Sequence, residues 1–313
     1  MFDRAFGLIL AITFLGGAWI GFQPAPKSHL SQYGACKEVR ATGATATVFR
    51  YQLNNGSSYA VKRFRKKSQS TTQEDYLSSV RNEVEISNYL SHKRIMPTLD
   101  FFDENRVFYS VMPYVPITLF DRIMRNTTVL LEEQRDCIFR QIVDAIVYMH
   151  SKGAAHLDLK LNNILLEDES EIKVIDFGNS RVFQQPHGAL VKGLFATPPN
   201  APYEAYQDGY YDPFAGDVWA VGMIYCQMTF PLAPWNMGLQ PPAIFAIFSP
   251  SVSQAPSAID LTQLQATVEM ISRNLPERAR SVIGGMLRSN PQDRISMNEV
   301  LENDWIRSLR NCE

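Results

Sequence analysis

The sequence predicts an α+β fold in two lobes, a small antiparallel sheet with one helix at 28–115 and a larger helical lobe at 116–313. Three local patterns supply its elements, and the two-lobe arrangement itself follows from the motifs at 155–178. Asn54-Asn55-Gly56 is a hairpin turn signal that returns the chain into the strand Tyr59-Ala60-Val61-Lys62. Leu77, Val80, Val84 and Leu90 fall near helical spacing, which predicts a helix over Leu77–Leu90. Farther on, Ile138, Ile142, Ala145, Ile146 and Met149 line one stripe of a long amphipathic helix over Glu132–His150. Between the two helices, Val107–Val115 is apolar enough for a buried strand that runs into a linker.

Composition agrees. A chain of 313 residues that is 45% apolar can bury one bilobal core. Its net charge of −2 argues against broad affinity for nucleic acid. The four cysteines, Cys36, Cys137, Cys226 and Cys312, are widely spaced, show no disulfide framework and fit a reducing compartment.

The helix Glu132–His150 leads into Ala155-His156-Leu157-Asp158-Leu159-Lys160-Leu161-Asn162-Asn163, and Asp176-Phe177-Gly178 begins eighteen residues after Asp158. An acid, a cation two residues on and an amide five residues on put a base, a positive charge and a metal ligand in one loop. A second acidic ligand then arrives on a glycine-hinged turn. The assembly suits transfer of a phosphoryl group from a magnesium nucleotide to a hydroxyl, because such transfers need positioning and charge neutralisation more than covalent help. One amide and one carboxylate suit a hard ion that keeps several waters, Mg2+ or Mn2+. The five histidines and four cysteines show no zinc-type spacing.

These motifs resemble the catalytic core of the protein-kinase family. Lys160 after the acid and Thr197 before Pro198 place the resemblance in the serine/threonine branch. It implies ATP and Mg2+ (or Mn2+) as cofactors and protein hydroxyls as substrates. Asp158 would accept or orient the hydroxyl proton, Lys160 would meet the γ-phosphate, and Asn163 and Asp176 would hold the metal. Ala41, Gly43 and Ala46 sit where the family has a Gly-rich loop, although two of its three glycines are alanine here. Lys62 would take the α- and β-phosphates, held there by Glu83. Glu85 competes for that role but lies about 200° round the helix. Glu83 leaves Val84 and Ile86 in the family's apolar positions. Met112 would guard the back of the adenine pocket, and Pro113–Val115 would form the hinge, with Val115 donating because Pro113 has no N–H. Val48, Ala60 and Leu165 would enclose the adenine ring.

The resemblance also assigns supporting roles. His156 would pack under Phe177 and Gly178, Asp217 would hold the backbone of the catalytic loop, and Thr197 would bond Asp158 and Lys160. Glu204 and Arg294 would form a buried ion pair. Two further positions depart from the family. Ser87 stands where most members have an apolar residue, and Leu157 where many have an arginine that clamps a phosphate on the activation segment. Residues 181–196 contain no Ser, Thr or Tyr. The segment is therefore expected to be held by packing of Val182, Phe183, Leu194 and Phe195. The alternative, from another class, is a pseudokinase scaffold, supported by Ala41, Ala46, Ser87 and Leu157.

Strings at 161–235, among them Leu161-Asn162-Asn163, Tyr211-Asp212-Pro213 and Asp217-Val218-Trp219, resemble the fungal halotolerance and nitrogen-permease-reactivator kinases. That resemblance implies a role in regulating membrane transporters. Ahead of the motifs, Ala5–Phe22 is an uncharged, mostly apolar run close to the ~20 residues that span a bilayer. A membrane anchor leaving the catalytic domain cytoplasmic, a cleaved signal peptide and a hydrophobic extension without a membrane role are the competing readings.

Overall fold

The computed structural model describes residues 28–43, 45–68, 72–125, 130–168, 171–184, 188–196, 200–206, 209–230 and 273–309. The apolar run Ala5–Phe22 and Thr197 lie outside these residues. Among the described residues no helix is long and apolar enough to cross a membrane.

Ala35–Thr42 (β1), Ala46–Gln52 (β2), Ser58–Phe64 (β3), Asp100–Glu104 (β4) and Val107–Pro113 (β5) form one antiparallel sheet of order β1-β2-β3-β5-β4. The β2–β3 turn is closed where the Asn-Gly signal fell. Leu53 N–H donates to the Ser57 carbonyl at 2.9 Å, and Gly56 takes a φ of 92°, which a side chain would resist. Behind the sheet runs Gln73–Tyr89 (α1), which starts four residues earlier than the apolar spacing alone predicts. It buries Val80, Val84 and Ile86. Edge strand β1 is exposed along its whole length.

The larger lobe is built on Glu132–Ser151 (α2) and Pro213–Thr229 (α3), with Glu277–Met286 (α4), Met297–Glu302 (α5) and Asp304–Ser308 (α6) packed around them. Asp212 caps α3 by accepting from the Phe214 and Ala215 N–H groups, with Pro213 pre-set for the first turn. Helix α3 is apolar on nearly every face because it runs through the core. Ile138, Phe139, Ile142, Ile146 and Met149 of α2 meet Ile224 and Tyr225 of α3 with no exposed surface. Each such side chain is worth about 1.5–3 kcal/mol of burial.

Short strands carry the chemistry-bearing loops between these helices. Ile117–Thr118 (β6), Ile164–Leu166 (β8) and Ile172–Val174 (β9) pair in the order β6-β8-β9. Ala154–Ala155 (β7) pairs with Arg181–Val182 (β10), and Val191–Lys192 (β11) pairs with Tyr210–Tyr211 (β12). Antiparallel smaller sheet and helical larger lobe together make the bilobal α+β fold that the motifs implied.

Two expectations need correction. Val182 and Leu194 are 45% and 47% exposed, so they do not anchor the segment after the Asp176-Phe177-Gly178 turn. Val191 is buried instead, with Phe183 and Phe195 packed beside it. Both residues of the two-residue strand β10 lie at the surface, and the larger aromatic rings take the inward places. Cys36 and Cys226 carry free thiols, but Cys137 is disulfide-bonded. Sequence spacing carries no information on which sulfurs meet in space.

Candidate active site

Lys62 projects from β3 beneath the sheet, and only 8% of its surface is exposed. Its Nζ donates to Glu83 Oε1 at 2.5 Å and to Asp176 Oδ1 at 2.9 Å. Glu83 comes from the inner face of α1, whereas Glu85 is exposed on the outer face. Burial alone would lower the pKa of the Lys62 ammonium; the Glu83 and Asp176 carboxylates more than offset this and raise it above the ordinary lysine value. Burial also raises the Asp176 carboxyl, but Lys62, both as a charge and as a donor, outweighs it and holds the group below the usual range. At Glu83, burial pushes the carboxyl up while the Lys62 ammonium pulls it back.

Asp176 adopts a left-handed backbone with φ 67°. Gly178 follows at close quarters, since a Cβ there would lie 3.4 Å from Glu83 Oε2 and 3.6 Å from Asp176 Oδ1. Phe177 is buried, with its ring 5.5 Å from that of His156. His156 Nε2 lies 3.0 Å from the Ile175 carbonyl, which ties the loop to the turn.

The catalytic-loop candidates are held tightly. Asp158 is buried, and Lys160 Nζ donates to its Oδ2 at 2.7 Å. Asn163 Nδ2 donates to the Asp158 carbonyl at 2.8 Å, and Ile175 N–H donates to the Asn163 carbonyl at 3.0 Å. Leu157 takes φ 68°, a conformation that costs an L residue about 1–2 kcal/mol. Asp217 holds it there: Oδ2 accepts from His156 N–H at 2.7 Å and Oδ1 from Leu157 N–H at 2.8 Å. His150 Nε2 lies 3.0 Å from the same Asp217 Oδ2, a partner that the motif reading did not assign.

The nucleotide-loop and hinge candidates line the strands around Lys62. Val48 pairs with Lys62 across β2–β3 and with Ala41 across β1–β2. Gly43 N–H donates to the Ala46 carbonyl at 2.9 Å, closing the loop end, and Ala46 is buried. Met112 pairs with Ala60 across β3–β5, Pro113 ends β5, and Val115 follows in the linker. Leu165 lies on β8, in the other lobe. Two carboxylates and an ammonium at the sheet, with an amide and a carboxylate below it, fit a magnesium nucleotide. Such an ion takes one or two protein oxygens and draws the rest from phosphate and water.

Farther out, Arg294 grips Glu204 with Nη1–Oε1 at 2.6 Å and Nη2–Oε2 at 3.1 Å, its guanidinium 5.1 Å from the Trp219 ring. Ser87 is buried but satisfied, donating to the Met96 carbonyl at 3.2 Å and accepting from Thr98 at 3.0 Å. Leu157 is buried among Ala155, Val191, Ala205 and Tyr211, with Phe183, Phe195 and Phe214 against them. Asn82, beside Glu83, donates to the Ser180 carbonyl at 3.1 Å and so ties α1 to the segment after the turn. No local sequence signal marks that contact, because its partners are 98 residues apart.

Comparison with known proteins agrees with this geometry. Residues 39–306 match the protein kinase domain. The chain is similar to the probable serine/threonine-protein kinase RTK1 of Saccharomyces cerevisiae, at 32% identity over 92% of this chain and 47% of that protein. It is similar to the serine/threonine-protein kinase HAL4/SAT4 of the same yeast, at 30% identity over 90% of this chain and 47% of that protein. The nitrogen permease reactivator protein, also from that yeast, is 28% identical over 83% of this chain and 37% of its own length. The chain thus spans about half the length, or less, of the relatives it matches. These matches fall in the fungal group that the strings at 161–235 resemble. The chain belongs to the protein kinase family.

Proposed function

We propose that this chain is a protein serine/threonine kinase that transfers the ATP γ-phosphoryl group to protein hydroxyls. The observation that carries the proposal is Lys62 lodged between Glu83 and Asp176, at 2.5 and 2.9 Å. In this arrangement α1 and the metal-binding turn are already drawn together, as phosphoryl transfer requires. Lys62 holds the α- and β-phosphates. Asn163 and Asp176 would hold the magnesium ion, which would supply charge neutralisation at the phosphate oxygens. Asp158 orients the substrate hydroxyl and takes up its proton, while Lys160, 2.7 Å from it, carries positive charge toward the transferring group. Ala41, Gly43, Ala46 and Val48 cover the nucleotide, and the Pro113 carbonyl and Val115 N–H face the adenine.

The scaffold alternative rested on four drifted positions, and three of them have a structural use. Ser87 has hydrogen-bond partners, Leu157 fills an apolar cluster, and Ala46 is buried. Because Leu157 offers no charge to a phosphate, the reading extends to regulation: the segment after Gly178 is ordered by packing rather than by phosphorylation. Likeness to a protein named for nitrogen permease reactivation supports membrane transport as the regulated process. The test is incubation of the purified full chain with labelled ATP, Mg2+ and mixed protein substrates. Transfer of label to serine or threonine supports the reading; tight partner binding with no transfer would favour the scaffold.

A further inference from the structure

Arg40 lies on the exposed edge strand β1, directly before Ala41 of the phosphate-covering loop. Its Nη2 donates to the Pro116 carbonyl at 2.6 Å. Pro116 is the first residue past the linker, so this bond joins the smaller lobe to the larger one at the outer mouth of the cleft. The linker residue Tyr114 is flanked by two guanidinium groups, those of Arg50 on β2 at 4.9 Å and of Arg40 at 5.8 Å from its ring centre. Glu38 holds the two arginines in register, 3.5 Å from Arg40 and 3.6 Å from Arg50. Both strands that flank the phosphate-covering loop are thereby fastened to the linker by side chains that touch none of the reacting groups.

From this geometry we infer that Arg40 and Arg50 are positioning residues for the nucleotide: they clasp the phosphate-covering loop to Tyr114 and Pro116 and set how far the cleft opens. The inference rests on nucleotide binding at Lys62. The loop needs such a clasp because it sits at the free edge of the sheet, where β1 has only β2 beside it. A guanidinium suits the task. It can donate to a carbonyl and lie over an aromatic face at once, whereas a lysine ammonium offers a point charge with no planar fork.

The test uses the full chain with MgATP and a peptide substrate, together with calorimetric binding of MgADP. Arg40→Ala should raise KM for ATP and Kd for ADP about three- to tenfold, the size of one charge-assisted but partly exposed bond, while kcat stays within twofold. Arg40→Lys should recover part of the loss, and Tyr114→Leu should reproduce part of it with the carbonyl bond intact. Arg63→Ala removes a guanidinium that lies 4.9 Å from Phe49 on the same sheet, and it should leave both constants unchanged. Wild-type nucleotide constants in Arg40→Ala would overturn the clasp alone. Equal losses in Arg40→Ala and Arg63→Ala would also overturn it, as general loosening of the sheet. Failure of the wild-type chain to bind either nucleotide would instead overturn the reading of the cleft, and the clasp with it.

Discussion

Two neighbouring stretches of this chain are immobilised by opposite kinds of force. Around Lys62 the grip is ionic: an ammonium between two carboxylates on three separate elements, with Lys62 and Glu83 shielded from water and Asp176 open on one side. Around Leu157, next to Asp158 in sequence, the grip is apolar, with Val191, Tyr211, Phe183 and Phe195 closing over a side chain that offers no donor. The first arrangement must change partners when a nucleotide arrives, because Lys62 and Asp176 are the groups that would meet phosphate and metal. The second has no such task. Charge stands where ligand exchange is needed, and packing where permanence suffices.

The comparison breaks most sharply at the acid between the two regions. Asp158→Asn should lower kcat for peptide phosphorylation by about 10²- to 10⁴-fold, the usual contribution of a positioned base. Nucleotide affinity should stay near wild type, because the amide retains the shape and the Asn163 bond reaches the backbone carbonyl. Steady-state kinetics and ADP calorimetry measure both. An unchanged kcat would remove Asp158 from the chemistry.

The apolar grip is probed next. Leu157→Arg buries a guanidinium among side chains that cannot pair with it, at a cost of about 2–4 kcal/mol. The melting temperature should fall by roughly 5 °C or more, and activity should not rise. A more active or more stable variant would mean that an acceptor for the arginine exists near the cluster. Smaller effects are expected at the N-terminal edge of the fold. There His29–Tyr33 docks on β4, with Tyr33 OH donating to Asp100 Oδ2 and His29 N–H to Glu104 Oε1 at 3.1 Å. Deleting residues 1–27 should leave melting temperature and transfer unchanged. Deleting 1–34 should lower the melting temperature by a few degrees, as those bonds and the tilted ring contact of His29 with Phe102, 4.0 Å between centres, are lost. Equal behaviour of the two truncations would show the docking to be inconsequential. If Ala5–Phe22 anchors the chain, only the full-length protein should stay in an alkali-extracted membrane pellet.

Much of the fold was legible because local chemistry states it. The Asn-Gly turn, the amphipathic stripe of α2 and the loop spacing from Asp158 to Asp176 all lie within short windows. The α2 prediction ended one residue short of the observed end, whereas the α1 prediction missed the polar first turn, Gln73–Tyr76, which has no apolar period to announce it. What escaped was long-range. The docking of His29–Tyr33, the Arg40 bridge to Pro116 and the Asn82 bond to Ser180 join residues 67 to 98 positions apart. Strand β4 was hidden by its own mixed sequence, Asp-Phe-Phe-Asp-Glu. Leu157 could be flagged from sequence as a missing phosphate clamp. That Val191 rather than Val182 would close over it depended on the surface course of β10.

The most direct test of phosphate-independent order is an activity assay on exhaustively dephosphorylated full-length protein, with phosphate removal verified by mass spectrometry. Initial rates of transfer from labelled ATP should be taken before and after treatment, using a non-hydrolysable nucleotide during dephosphorylation to prevent self-modification. Packing around Leu157 predicts rates that agree within about twofold, the scatter expected when no order-inducing phosphate is lost. A collapse of activity on dephosphorylation, with the lost phosphate mapped to residues 176–204, would contradict it.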